Sequence, residues 1–350
     1  MNFLTTGMPL EIKKNVSLET LNTFKVAGKA KYFAEINSVD HLKEAIEFAK
    51  KNKLSIFILG GGSNVLISDK SFDGLVLKMN IKGVSWKETE DSVEVTAGAG
   101  ETWDEVVKES VERNLYGLQN LSGIPGSVGG APVQNIGAYG AEIKDVLRSV
   151  EVFDKEKSVF LNFSNEDCKF GYRDSIFKTK EGARYVIIKV TLSLKKNSSL
   201  NLSYKDVTLY FASKKHIPTL KEVRQAILEI RNKKFPDLSK VGTAGSFFKN
   251  PIVSKEKYDE LLRKYPNMPS YALPNSLVKI PLAWIIDKVC GLKGKREDNV
   301  GTFENQAIVL VNWNGATGTE IKNFAEKIKK EVKAKTGIEV EMEVQEIKNR

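Results

Sequence analysis

The chain has 350 residues, of which 41% are hydrophobic and 28% charged, and its formal net charge is +10. This length and composition predict two or three domains with sizeable cores and exclude a disordered chain. Only two cysteines, Cys168 and Cys290, are present, which argues for a reducing compartment. The two histidines, His41 and His216, are far apart, so we expect no metal site and no Ser-His-Asp triad. The first residues lack a secretory pattern and no long apolar run occurs, so we expect a cytoplasmic protein without membrane insertion.

The excess positive charge fits either a nucleic acid or an anionic small molecule. Much of it lies in one helical stretch, where six lysines between 322 and 335 are interleaved with Glu320 and Glu331. The sequence contains no recognised nucleic-acid motif and no basic stripe interleaved with aromatic residues. A solvated lysine-rich surface is therefore the favoured interpretation, and we expect no nucleic-acid partner.

The first elements follow a β-α-β pattern. The stretch 21–36 ends in strand-like alternation, and apolar residues from Asp40 to Lys53 recur at helical spacing, with Asp40 as the predicted N-cap. A buried strand is predicted at 54–59, followed by Gly60-Gly61-Gly62-Ser63-Asn64 and by strands at 65–68 and 74–79. This arrangement predicts half of a nucleotide-binding domain. Because the glycines match neither the Rossmann fingerprint nor the P-loop, phosphate binding would use another backbone geometry.

The remaining elements divide into a strand-rich middle and a helix-rich end. Strands are predicted at 93–97, 149–153, 158–163, 185–194 and 307–312, and helices at 101–114, 219–231, 254–264, 283–290 and 317–335. The helices at 219 and 317 begin with capping-box patterns, T-L-K-E and T-G-T-E. The segment 338–344 alternates apolar with acidic residues.

One long segment, from Asn114 to Ala141, contains no charged residue and no histidine, yet holds seven of the 26 glycines. Glycine allows the main chain to approach a ligand closely, and successive N–H groups in such turns form concave sites for phosphate oxygens. The segment therefore predicts a cradle for a cofactor with a diphosphate. The alternative is a glycine-rich surface loop.

Three further residues are candidates for chemistry, each with a plainer alternative. Arg173, in G-Y-R-D-S, suits a carboxylate or phosphate, or it pairs structurally with Asp174. Ser246, in G-T-A-G-S-F-F-K-N-P, presents a hydroxyl between small and bulky residues, or it is a turn serine. Glu343 shares one face of the alternating segment with two other acids, which is more typical of a solvated face.

The order of these motifs and the residues in them resemble those of the UDP-N-acetylenolpyruvoylglucosamine reductase family (MurB) over nearly the whole chain. The segments that carry the resemblance are L-N-T-F, GGGSN, S-G-I-P-G-S-V-G-G-A-P-V-Q-N-I-G-A-Y-G-A-E, GYRDS, GSFFKNP and L-V-K-I-P-L-A-W-I-I-D. The resemblance implies an α+β flavoprotein, with an FAD-binding fold of the PCMH type (vanillyl-alcohol-oxidase-like) in two lobes and a separate α+β substrate-binding domain. It places the first lobe at 1–78 with the C-terminal strand 337–350, the second at 79–233 and the substrate domain at 234–336.

The same resemblance implies non-covalent FAD, which takes hydride from NADPH and passes it to the enolpyruvyl group of a UDP-sugar, giving UDP-N-acetylmuramate for peptidoglycan. Ser246 would protonate the enolate, while Arg173 and Glu343 would stabilise its charge. The chain is similar to the subclass in which a tyrosine closes over the nucleotide sugar, here Tyr204 in L-S-Y-K-D-V. After Glu343 the chain departs from the family pattern, which leaves Glu341 as the alternative carboxylate. We expect a monomer.

By this resemblance, two sets of residues bind ligands. The residues expected to hold FAD are Gly60, Gly61, Gly62, Ser63, Asn64, Ser122, Gly123, Ile124, Pro125, Gly126, Asn135, Gly137, Ala138, Tyr139 and Gly140. The residues expected to contact the UDP-sugar are Tyr172, Tyr204, Lys234 and Asn250. Two other functions stay open: a different oxidase or dehydrogenase with the same flavin fold, and a basic nucleotide-binding module without chemistry.

Overall fold

The structure is a computed structural model that describes residues 9–349. The expectations about the first eight residues, as signal or as part of the first lobe, lie outside the described residues. The chain divides into two compact units. The first contains 9–16, Ala30–Gly62 and Asp73–Arg231, and the second contains Ser17–Lys29, Ser63–Phe72 and 232–349. The three-part division expected from the resemblance stays a prediction.

The strands and helices occur throughout both units. In chain order the strands are β1 (Ile12–Ser17), β2 (Lys29–Ile36), β3 (Ser55–Leu59), β4 (Val65–Ile67), β5 (Phe72–Met79), β6 (Val84–Glu88), β7 (Ser92–Gly98), β8 (Gly137–Ala138), β9 (Ala141–Glu142), β10 (Leu147–Asp154), β11 (Val159–Ser164), β12 (Tyr185–Lys195), β13 (Ile252–Ser254), β14 (Tyr271–Leu273), β15 (Leu277–Lys279), β16 (Arg296–Glu297), β17 (Val300–Thr302), β18 (Leu310–Asn312) and β19 (Gln345–Ile347). The α-helices are α1 (Val39–Lys51), α2 (Trp103–Glu112), α3 (Lys205–Phe211), α4 (Leu220–Lys234), α5 (Lys255–Lys264), α6 (Leu282–Trp284) and α7 (Gly318–Thr336).

The first sheet of the first unit has the strand order β1-β2-β5-β3. Strands β3 and β5 are parallel, with Leu59 opposite Lys78, and the predicted β-α-β pattern is confirmed. Helix α1 buries the apolar residues that its spacing predicted, but its N-cap is Ser38, whose Oγ accepts a hydrogen bond from the His41 N–H at 3.1 Å. The prediction of Asp40 as the cap was wrong. Asp40 lies in the first turn, where its negative charge interacts favourably with the helix dipole.

The second sheet of the first unit is antiparallel, with the order β11-β10-β12-β7-β6. Its central strand β12, which was predicted at 185–194, buries Val186, Ile188 and Val190. Helix α2 buries Trp103, whose indole N–H donates to the Leu121 carbonyl at 3.1 Å. Residues from both sheets and from the glycine-rich segment share one hydrophobic core. The segment therefore belongs to the core of this unit and is not a surface loop.

The second unit contains three small sheets, with orders β13-β15-β14, β16-β17-β18 and β19-β4. The long helix α7 begins with the predicted capping box, in which Thr317 and Glu320 each accept a hydrogen bond from the other's backbone N–H. Its buried face includes Ile321, Phe324 and Ile328. Within residues 9–349, no helix is both long and apolar enough to cross a membrane.

Three predicted elements in the second unit differ from the structure. The helix predicted at 283–290 is the single turn α6 followed by a π-helical turn at Ile285–Val289, because the Cys290 N–H reaches back five residues to Ile285. The strand predicted at 307–312 covers only β18, since Val309 closes a turn with Gln306. The alternating segment 338–344 makes only an isolated bridge at Met342, and regular pairing begins at β19.

Candidate functional site

The two glycine motifs touch each other through the main chain. A Cβ placed on Gly61 would lie 2.6 Å from the Cα of Gly126, and one on Gly60 would lie 2.5 Å from the Oγ of Ser127. The Gly126 side of this contact is fixed by hydrogen bonds from Trp103 N–H to the Gly126 carbonyl (3.1 Å) and from Val128 N–H to the Glu101 carbonyl (2.8 Å). Only glycine allows these two turns to approach so closely.

An ion pair between α2 and α4 anchors the start of the glycine-rich segment. Asp104 accepts two hydrogen bonds from the Arg224 guanidinium, at 2.7 and 2.8 Å, and a third from the Gly123 N–H at 2.6 Å. Burial opposes ionisation of this carboxyl group, but the hydrogen bonds outweigh it and hold the pKa of Asp104 below its ordinary value. Asp104 and Arg224 were missed by the sequence reasoning, because nothing in the sequence pairs two residues so far apart.

Asn135 and the residues after it form a second turn, which contacts the segment that holds Arg173. The Asn135 side chain donates to Glu142 and to the Gly171 carbonyl, both at 3.0 Å. One guanidinium nitrogen of Arg173 donates to the Gly137 carbonyl at 2.6 Å, and the guanidinium also lies over the Tyr172 ring. The structure thus brings Arg173 and Tyr172 to the glycine-rich segment.

Tyr204 lies against the same segment. Its ring meets the Tyr139 ring edge to face, with centroids 5.2 Å apart. Burial raises the pKa of Tyr139 to about 12. Arg231, which is partly buried on α4, interacts with the Tyr139 hydroxyl. Tyr139 therefore joins the expected tyrosine loop to the expected cofactor segment.

In the second unit, the segments that contain Ser246 and Glu343 lie side by side. The Glu343 N–H donates to the carbonyl of Phe247, the residue after Ser246, at 2.9 Å. The Asn64 side chain donates to the Glu343 carbonyl at 3.3 Å, so the end of the GGGSN motif supports the same segment. Glu343 is only 8% exposed, whereas the side chain of Glu341 is 75% exposed and is paired with Lys249. The expectation of a solvated face holds for Glu341 but not for Glu343.

Asn250 and Lys234 are the two other residues expected to contact the UDP-sugar. The Asn250 side-chain oxygen accepts a hydrogen bond from the Leu282 N–H at 2.9 Å and so holds the start of α6. Lys234 is the last residue of α4 and is partly exposed. Arg173 belongs to the first unit, and Ser246 and Glu343 belong to the second. Within the part of the chain that the structure describes, no cluster of histidine, cysteine or acidic residues could hold a metal ion.

The residues at the two glycine turns fit a dinucleotide cofactor. Backbone packs directly on backbone at Gly61 and Gly126, where any side chain would fill the space. Ser127 has a buried hydroxyl that finds no hydrogen-bond partner among residues 9–349. A bound diphosphate would supply acceptors for such groups.

Comparisons with known proteins agree with this geometry. Residues 30–160 match the FAD binding domain family, and residues 237–347 match the C-terminal domain family of UDP-N-acetylenolpyruvoylglucosamine reductase. The reductase of that name from Flavobacterium johnsoniae is 44% identical over 96% of this chain and 99% of its own length. The Pseudomonas aeruginosa reductase is 41% identical over 96% and 99%. The crystal structure of the Thermus caldophilus reductase (MurB) has the same fold, with a TM-score of 0.66 at 22% identity over 97% and 99% of the two chains.

The FAD-binding domain and the fold define this chain as a flavoprotein oxidoreductase. At these identities over nearly the full length of both sequences, the chain belongs to the UDP-N-acetylenolpyruvoylglucosamine reductase family. Its function is the FAD-dependent reduction of the enolpyruvyl UDP-sugar in the synthesis of peptidoglycan precursors. The predicted family, the PCMH-type α+β fold, the FAD cofactor and the enzyme class are confirmed.

Proposed function

We propose that the chain uses NADPH as its hydride source and that Ser246, Arg173 and Glu343 act on the enolpyruvyl group of the substrate. FAD, when bound, carries the hydride between the two substrates. The chain's own residues bind the substrate carboxylate, stabilise the negative charge that develops and deliver one proton. Ser246 supplies that proton to the carbon that becomes carbanionic, which gives UDP-N-acetylmuramate.

The observation that carries this proposal is the backbone contact between the Ser246 and Glu343 segments. The Glu343 N–H is held 2.9 Å from the Phe247 carbonyl, which fixes the carboxylate-bearing residue close in the fold to the serine. Because Glu343 is buried, its charge acts at a lower effective dielectric than the exposed Glu341. This difference favours Glu343 as the functional carboxylate.

The local structure of Arg173 supports a role with an anion. Its backbone is left-handed, with φ of 53°, which is uncommon for a residue other than glycine and clusters at functional positions. Its carbonyl accepts a hydrogen bond from Lys178 at 3.0 Å, and its guanidinium is tied to Gly137. A guanidinium held in this way is preorganised for a planar carboxylate.

The remaining assignments belong to the same proposal. The residues named above from the family resemblance hold FAD, and Tyr172, Tyr204, Lys234 and Asn250 contact the UDP-sugar. The edge-to-face contact of Tyr204 with Tyr139 supports a tyrosine that closes over the nucleotide sugar. We also propose a cytoplasmic monomer.

The role of Ser246 is tested by separating the two half-reactions. In Ser246→Ala, anaerobic NADPH should reduce the flavin at the wild-type rate, because no proton passes to the sugar in that step. Reoxidation by the enolpyruvyl UDP-sugar should be slower by about 10²- to 10⁴-fold, the range of a lost positioned acid. Reoxidation at the wild-type rate would remove Ser246 from the mechanism, and failure of NADPH to reduce wild-type flavin would remove NADPH.

Glu343→Gln and Glu341→Gln form a matched pair of variants. The two positions are two residues apart, and each substitution replaces a carboxylate by an amide. We expect the Glu343 variant to slow flavin reoxidation by about 10²-fold or more, as for loss of a group facing developing charge. The exposed Glu341 variant should react as wild type. The reverse order would move the carboxylate role to Glu341.

A further inference from the structure

One lysine of the first unit lies beside the first glycine turn. Lys78 is on β5, opposite Leu59 of the parallel strand β3. The carboxyl ends of parallel strands are where open sheets bind ligands, and the Gly60–Gly62 turn leaves β3 at that end. The Lys78 ammonium reaches this turn and donates a hydrogen bond to the Gly60 carbonyl.

The surroundings of Lys78 leave its charge poorly compensated. It is partly buried, and burial lowers its pKa, although Glu35 acts in the opposite direction and Lys82 in the same one. In the described part of the chain, the Gly60 carbonyl is its hydrogen-bond acceptor and no carboxylate forms an ion pair with it. An ammonium has three N–H donors, so two remain for a ligand.

A second unused group, from the glycine-rich segment, lies against the same turn. The Ser127 hydroxyl is buried and finds no hydrogen-bond partner within the residues from 9 to 349. Its Oγ lies 2.5 Å from the position that a Gly60 Cβ would occupy, so it faces the residue whose carbonyl Lys78 contacts. A buried polar group without a partner is uncommon and calls for a ligand or a functional reason.

We propose that Lys78 and Ser127 bind the diphosphate of FAD. The Lys78 ammonium and the Ser127 hydroxyl both lie against the Gly60–Gly62 turn. The diphosphate is the anionic part of this cofactor, and the segment from Asn114 to Ala141 offers it no charged side chain. Lys78 supplies the missing positive charge, and Ser127 supplies a neutral donor beside the backbone N–H groups. Both residues lie in the first unit, so the inference is independent of the roles of Ser246 and Glu343.

The test is the affinity of the full-length, FAD-stripped protein for FAD, measured by flavin fluorescence. Lys78→Met should weaken binding by about 10- to 100-fold and Ser127→Ala by about tenfold, since each removes a hydrogen bond to a charged group. Lys31→Met is the matched control, because Lys31 is an exposed lysine of the neighbouring strand β2 that pairs with Asp73. It makes the same change of charge and should bind FAD as wild type.

Four further measurements separate diphosphate binding from a purely structural role. Lys78→Gln keeps a donor for the Gly60 carbonyl but loses the charge, so it should be as weak as Lys78→Met. Both variants should be less sensitive to added KCl than wild type. Riboflavin, which has the flavin ring but no phosphate, should bind all variants equally. The unfolding midpoint of FAD-free Lys78→Met should not fall, because a desolvated ammonium does not favour folding.

The proposal for Lys78 is overturned if Lys78→Met binds FAD as tightly as wild type, if Lys78→Gln restores the affinity, or if riboflavin loses affinity to the same extent. Wild-type FAD affinity in Ser127→Ala would remove the hydroxyl from the site. Weakening of equal size in Lys31→Met would show a general charge effect instead of local binding.

Discussion

Gly61→Ala tests whether the two glycine turns must meet through the main chain. The new Cβ would lie 2.6 Å from the Cα of Gly126, 2.8 Å from its carbonyl carbon and 3.1 Å from the nitrogen of Ser127. Carbon atoms pack favourably at about 3.5–4.0 Å, so the turns must separate by roughly 1 Å. Hydrogen bonds to the Gly126 carbonyl and from the Val128 N–H resist this movement. Overpacking of this kind costs about 1–3 kcal/mol.

We therefore expect Gly61→Ala to lower the free energy of unfolding by about 2 kcal/mol, within the range for overpacked sites, and to bind FAD more weakly. Urea unfolding of the FAD-free protein measures the first effect, and flavin fluorescence measures the second. Gly130→Ala is the matched control for stability, because its Cβ would meet only the Ser127 Oγ, at 3.6 Å. It should be neutral or stabilise the protein by up to about 1 kcal/mol. Equal unfolding curves for wild type and Gly61→Ala would refute the close contact.

Three other predictions follow from single interactions. Asp104→Asn should lower stability by about 1.5–3 kcal/mol at pH 7, since it removes a charge-assisted pair with Arg224. The pKa of Asp104 is lower in the folded state than its ordinary value of about 3.9. The contribution to stability is therefore fully present above the ordinary pKa and is lost as the pH falls through the lower folded-state pKa. The free energy of unfolding should accordingly depend less on pH in the variant than in wild type. Thr317→Ala should cost about 1 kcal/mol through loss of the α7 cap, seen as a lower urea midpoint, and an unchanged midpoint would contradict the capping box. Cys168 and Cys290 should not react with a thiol reagent at pH 8 until the protein unfolds, because burial raises their pKa values to about 12 and about 11. Rapid labelling of the native protein would contradict this prediction, since it would show that the thiols are accessible.

Local signals in the sequence predicted most of the elements. Apolar spacing predicted α1, and the capping boxes predicted the starts of α4 and α7. These succeeded because each pattern depends on residues within a few positions of one another. The π-helical turn after α6 and the late start of β18 within the strand predicted at 307–312 were not predicted, since both depend on hydrogen bonds whose register the residue types do not specify.

The sequence also determined the family, the cofactor and the reaction, because the ordered motifs match relatives over nearly the full chain. It determined that the segment from Asn114 to Ala141 is free of charge, and hence that a diphosphate there must rely on backbone N–H groups and on side chains from elsewhere.

Only the tertiary structure decided which residues surround that segment. Asp104, which is paired with Arg224, accepts a hydrogen bond from the Gly123 N–H. Lys78 donates to the Gly60 carbonyl, and Arg173 donates to the Gly137 carbonyl. The tertiary structure also separated Glu343 from Glu341, which look alike in the sequence, since one is buried by its backbone contact with Phe247 and the other faces solvent. Burial and long-range hydrogen bonds are properties of the packed chain, and an alternating pattern of residues contains no information about which acid will be covered.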